Sequence, residues 1–220
     1  MSKKLCAAAC LTVALSAGQS AFAAPPFTMF ADLTSFQAAL GGAPTFTQDF
    51  DAMAGGTNLL GVAFLPGVTA TSTGTTLVVF DSASIGHIMA GFPRTGSEFH
   101  YDVALSSPYN AIAFDIQAFD PRAQAGQLEV FFTDATSTSF NISPGATETT
   151  PVFFGIIAGG NIASVRWSEP AEPLGGGCCE ETGLDNFVVA QAIAEPSELA
   201  LLSAGLGVLL GAGRLRRRRS

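Results

Sequence analysis

Glu98-Phe99-His100-Tyr101-Asp102-Val103-Ala104-Leu105 alternates without a break, with Phe99, Tyr101, Val103 and Leu105 on one side and Glu98, His100, Asp102 and Ala104 on the other. Successive side chains of a β-strand point to opposite faces, so a period of two marks a strand with one face in a core and one in water. The pattern returns downstream: Ile112, Phe114 and Ile116 fall together, as do Leu128, Val130 and Phe132. Further strand candidates are Thr45 to Phe50, Gly61 to Leu65, Thr76 to Phe80, Pro151 to Ile156, Ile162 to Trp167 and Leu184 to Ala190, with Gly, Pro, Asn or Asp between them. Many short strands punctuated by turn residues predict an all-β domain, a two-sheet antiparallel β-sandwich of jelly-roll type. The pattern leaves strand order open. One short helix is expected near the start, in Asp32 to Gly41, with Asp32 capping it, Gly41 ending it, and Leu33, Phe36 and Leu40 on one face.

Both ends of the chain break this pattern. Lys3 and Lys4 precede an apolar run from Leu5 to Leu15, then Gln19 and Ser20, then Ala21-Phe22-Ala23. A basic start, a short apolar run and small residues at the exit are the parts of a secretory signal peptide, with cleavage expected after Ala23. Near the other end, Leu199 to Gly213 is uncharged and its leucines cover every side. That distribution suits a membrane span better than an amphipathic core helix. At ~1.5 Å per residue the run reaches about 22 Å. Ser197, Glu198, Arg214 and Leu215 bring it toward the ~30 Å hydrocarbon core, the arginine snorkelling to the headgroups. Arg214, Arg216, Arg217, Arg218 and Arg219 then orient the helix, because positive clusters beside a span stay cytoplasmic.

Glu195-Pro196-Ser197, the leucine- and glycine-rich run and the arginine cluster, in that order, resemble the PEP-CTERM sorting signal of Gram-negative bacteria. Ala194 stands where that family has its first proline. The resemblance implies that an exosortase, a membrane-embedded cysteine transpeptidase, recognises the motif, removes the span and releases or attaches the protein outside the cell. It divides the chain into a signal peptide (1–23), a β-sandwich ectodomain (24–192) and a sorting signal (193–220). The stretches at 36–51, 152–158 and 183–190 also resemble the β-rich ectodomains found in such proteins.

Removing residues 1–23 and the tail beyond Pro196 leaves Arg94, Arg122 and Arg166 against seventeen acidic residues, a formal charge of −14 compared with −8 for the whole chain. No lysine remains. Such a surface cannot neutralise phosphates, which excludes nucleic acid as a partner. An acidic exported domain suits divalent cations or a soluble life outside the cell.

The candidate sites follow from this balance. Asp49 and Asp51 flank Phe50 in an early strand, and Asp185 lies in the last. First and last strands of a jelly roll are often neighbours, so the three carboxylates are expected to meet at a sheet edge and offer hard oxygen ligands to calcium. Glu98, His100 and Asp102 share a strand face, yet ligands on one flat strand diverge, and a solvated face is the expectation there. Cys178 and Cys179 are the only cysteines after trimming. Adjacent Cα atoms lie about 3.8 Å apart, below the usual disulfide range, so a bond between them is strained and easily reduced. Outside the cell the expectation is this vicinal bond rather than free thiols, with a cross-link to another chain as the rival.

No Gly-x-Ser-x-Gly elbow, His-Glu-x-x-His or phosphate loop is present. The expectation is a non-enzymatic matrix or exopolysaccharide-binding module, with Trp167, Tyr101 and Tyr109 as aromatic platforms beyond the phenylalanines. The alternative is a β-sandwich hydrolase of extracellular polysaccharide, which requires two facing carboxylates in a cleft, one of them deeply buried.

Overall fold

The computed structural model of the protein describes residues 23–73, 76–82, 86–92, 99–118, 125–143, 150–169 and 182–192. The expectations placed on the signal peptide, on Cys178 and Cys179, on Glu195, Pro196 and Ser197 and on the C-terminal helix and arginines lie outside the described residues. Among the described residues no helix is long and apolar enough to cross a membrane.

In chain order the elements are β1 (Phe27–Phe30), α1 (Leu33–Ala39), β2 (Thr45–Gln48), β3 (Ala63–Leu65), β4 (Val68–Ser72), β5 (Thr76–Ser82), β6 (Gly86–Phe92), β7 (Phe99–Leu105), β8 (Ala111–Ala118), β9 (Gly126–Phe132), β10 (Ser137–Ile142), β11 (Val152–Ala158), β12 (Ile162–Glu169) and β13 (Thr182–Ala190). They form two antiparallel sheets. Sheet A runs β1-β11-β8-β13-β6-β5, with β2 also paired to β13, and sheet B runs β10-β9-β12-β7-β4-β3. From β7 onward the chain crosses between the sheets at almost every step, giving the jelly-roll-like sandwich that the alternating runs predict.

The alternation places the core. Tyr101, Val103, Leu128, Val130, Val165 and Trp167 of sheet B meet Ile112, Phe114, Ile116, Phe154, Ile156, Phe187 and Val189 of sheet A in one cluster. Two buried hydrogen bonds tie the layers: the Tyr101 hydroxyl donates to the Thr182 carbonyl at 2.9 Å, and Trp167 Nε1 donates to Thr182 Oγ1 at 2.8 Å. These aromatics satisfy their polar ends internally, as buried Tyr and Trp must. The expectation that Trp167, Tyr101 and Tyr109 serve as sugar platforms is therefore corrected: they are 1%, 0% and 5% exposed.

A second apolar layer lies on the outer face of sheet A, beneath α1. Asp32 caps the helix by accepting from Ser35 N at 2.8 Å, and Gly41 follows with φ of 62°, as expected for a glycine-ended helix. Phe36 and Leu40 pack on Ala111, Ala113, Val188 and Ala190, whereas Leu33, expected on the same face, points to solvent. Small residues let the helix settle closely. A Cβ built on Gly155 would lie 2.9 Å from the Phe36 ring.

Four strands escape the alternation: β1, β4, β6 and β10. In β10 only Phe140 and Ile142 are apolar, and β6 carries Gly86 and Gly91. The early strand ends at Gln48, because Phe50 adopts a φ of 57° and turns the chain away; Asp49 and Asp51 consequently stand after the strand. The early strand does neighbour the last one, with Phe187 to Ala190 of β13 paired to β2. β13 itself lies inside the sheet, with β8 along its other flank, whereas β2 has β13 as its one strand partner among the described residues.

Asn110 closes the end of sheet A from which β13 leaves. Its side-chain amide donates to the carbonyls of Ala158 and Ala192, and its oxygen accepts from Ala192 N at 2.7 Å.

Candidate functional site

Rows of side chains cross the outer face of sheet A, and α1 covers only some of them. It sits over the row Gly155-Ala113-Val188 and its neighbours toward Ala190. One step along the strands, the row Phe153-Asp115-Asp185 emerges beyond the helix. A seven-residue helix spans only about 10 Å, which leaves Phe153 and Asp115 of this row beside the groove, whereas Asp185 is buried. The result is a groove of about 600 Å³, with Asp115, Phe153 and Val188 among its lining, Asp32, Leu33 and Gln37 on the helix side, and Thr47, Gln48 and Asp49 on the β2 side.

A β-bulge shapes the groove's end. Against β8, Asp185 pairs with Asp115 and Val188 with Ala113, so β13 holds one residue more than its partner there. Asn186 takes the irregular position with φ of 52°, a conformation asparagine tolerates better than most residues. The bulge turns Asn186 outward into the groove, where its Nδ2 donates to Asp115 Oδ2 at 2.8 Å.

The same bulge buries Asp185, which is 6% exposed and does not line the groove. Burial pushes its carboxyl up to about 7; the Asn186 N–H, donating to Oδ1 at 2.7 Å, pulls the other way, and the charges of Asp115, Asp51 and Asp49 add to the rise. Asp115 is raised as well, first by burial, with the Asn186 amide opposing.

The structure thus brings Asp49, Asp51 and Asp185 into one electrostatic neighbourhood and adds Asp115. Each carboxylate has an oxygen committed locally: Asp49 Oδ1 accepts from Asp51 N at 3.3 Å and Asp51 Oδ1 from His87 N at 3.4 Å. Among the described residues no group of three or more His, Cys, Asp or Glu side chains is arranged to hold a metal ion. As placed, these residues do not fit calcium.

Asn186 and Asp115 are the groove residues that sequence reasoning missed. Strict alternation through Leu184-Asp185-Asn186-Phe187-Val188-Val189 would put Asp185 on the same face as Phe187 and Val189, and that conflict was the available sign of a bulge. Asp115 was visible as the one charge on a strand face otherwise made of Ala111, Ala113 and Gln117. On the other sheet, Asp102 is engaged by Arg166 Nε at 2.7 Å and His100 Nε2 at 3.1 Å, consistent with an ordinary solvated face.

No family model matches the chain, and no curated protein matches its sequence. Solved structures do resemble it in layout. A family 29 carbohydrate-binding module, a point mutant complexed with mannohexaose, is 14% identical, with a TM-score of 0.44 over 68% of this chain and 93% of its own. A family 35 carbohydrate-binding module from Cellvibrio japonicus is 12% identical, with a TM-score of 0.35 over 68% of this chain and 95% of its own. An isomalto-dextranase of Arthrobacter globiformis T6, complexed with panose, is 13% identical, with a TM-score of 0.36 over 67% of this chain and 32% of its own.

Proposed function

We propose that the domain is a polysaccharide-binding β-sandwich and that the groove beside α1 holds the sugar. The observation that carries this reading is the groove's lining. Asp115, Asp49 and the amides of Asn186, Gln37 and Gln48 offer donors and acceptors for hydroxyl groups, and Phe153 adds an apolar ring to the lining. Phe153 is steadied from behind by Phe36, at 6.1 Å between ring centroids. A glycan array probed with the full chain tests it. Binding that is lost in both Phe153→Ala and Asp115→Ala is expected; binding indifferent to both substitutions, or absent, would overturn the reading.

A second reading has one observation in its favour. Asp185 is a buried carboxyl held near neutrality opposite the carboxylate of Asp115, the pairing a glycoside hydrolase uses for acid and base. Against it, Asp185 has no face in the groove, where an acid must meet the glycosidic oxygen. Reducing ends released from a bound polysaccharide, and abolished by Asp185→Asn, would favour the hydrolase.

Export and exosortase sorting belong to the same proposal. They are supported by the order of parts in residues 1–23 and 193–220, and by the fit between an acidic, lysine-free domain and an extracellular polysaccharide. A periplasmic reporter fused ahead of residue 193 is expected to be active, and activity confined to a cytoplasmic reporter would refute export.

A further inference from the structure

We propose that the glycan taken by this groove carries free amines, as a partly N-deacetylated glucosamine polymer does, and that uronic-acid polymers are refused. The proposal rests on the sugar-binding reading above and adds the chemical class of sugar.

Among the described residues the groove is lined by Asp32, Asp49 and Asp115 and by no Lys, Arg or His. Behind them Asp185 is buried, within reach of the charges of Asp115, Asp51 and Asp49. Arg166, the one Lys or Arg among the described residues, lies on the outer face of the opposite sheet and is bound to Asp102. A sugar carboxylate entering this groove would lose water and meet like charge.

A sugar ammonium meets the opposite situation. It has three N–H donors and no acceptor. Asp115 gives Oδ2 to Asn186 and holds its carboxylate half-buried, so a cation within hydrogen-bond reach is poorly screened by water and is held more firmly than at an open surface. Asp49, exposed on the facing wall, supplies a second negative charge across the groove. The amides of Asn186, Gln37 and Gln48 serve hydroxyls on any sugar, whereas the carboxylates distinguish an amine from its acetylated form, which has lost the charge.

Calorimetric titration of the full chain near pH 6 with hexamers of glucosamine, N-acetylglucosamine and galacturonic acid tests this. The glucosamine hexamer is expected to bind at least ~10-fold tighter than the N-acetylated one, with no binding of the uronic acid. Asp115→Asn keeps an acceptor for Asn186 and is expected to remove most of that ratio. Asp49→Asn, at an exposed position, is expected to lower it too and decides the matter if the Asp115 variant loses its fold. Equal affinity for the amine and N-acetyl hexamers, both abolished by Phe153→Ala, would overturn the amine preference and leave the sugar site standing. Binding of the amine hexamer unchanged in both Asp variants would mean diffuse adsorption to an acidic surface and would also overturn it. Absence of binding by all three hexamers would remove the sugar reading itself.

Discussion

The outward faces of the two sheets treat charge in opposite ways. On sheet B, Asp102 of β7 lies directly across from Arg166 of β12, which lies across from Glu129 of β9, and the guanidinium also rests 5.8 Å from the Phe131 ring centre. Opposite charges alternate, each neighbour satisfying the next. On sheet A, Asp115 of β8 lies across from Asp185 of β13, like against like, with no Lys or Arg beside them among the described residues. Directly opposed like charges destabilise a sheet, so the second arrangement is costly where the first is mildly favourable. A costly pair at the rim of a groove is the kind of place where binding outweighs stability.

The comparison is broken most strongly by removing the buried member of the like-charged pair. Asp185 titrates near 4 in an unfolded chain and at about 7 in the folded one. The folded state therefore holds its proton longer. Below about pH 4 both states are protonated and there is no difference; as pH rises from about 4 to 7 the unfolded chain ionises first, stability falls, and the full loss of about 4 kcal/mol stands above pH 7. Asp185→Asn, which still accepts from the Asn186 N–H, is expected to regain most of that at about pH 8 and to flatten the decline, as measured by urea unfolding at several pH values.

The helix that covers one face and not the other provides the next test. Phe36 is fully buried between α1 and sheet A. Phe36→Ala is expected to cost about 3 kcal/mol of unfolding free energy and to weaken sugar binding by more than its stability loss explains, since Phe153 loses its backing. A smaller change sharpens the contrast from the other side. Asp102→Asn on sheet B removes a partly exposed ion pair and is expected to cost less than about 1 kcal/mol of unfolding free energy, read by urea unfolding. A loss as large as that at Asp185 would show that the two faces are not so different.

The layers of this fold were legible because burial obeys a period of two: Val103, Phe114 and Val130 announce their face by their neighbours. Strands with little apolar content were not. Among the described residues Ser137–Ile142 pairs along one flank, so it needs few core side chains and leaves a faint pattern. The site was half legible. The pairing of an early strand with the last was legible, but where Asp49, Asp51 and Asp185 point depends on two backbone conformations, at Phe50 and Asn186, that alternation does not encode. Asp115 was missed because its importance comes from where α1 stops, a property of packing between elements distant in sequence.

The amide of Asn110 has a mechanical consequence. It fastens Ala192 to the end of a strand that is laddered on both flanks, by β8 and by β2. Traction applied to the polypeptide beyond that residue is delivered along the strand axis to two ladders at once, which must yield together in shear; a border strand under the same load would peel open one bond at a time.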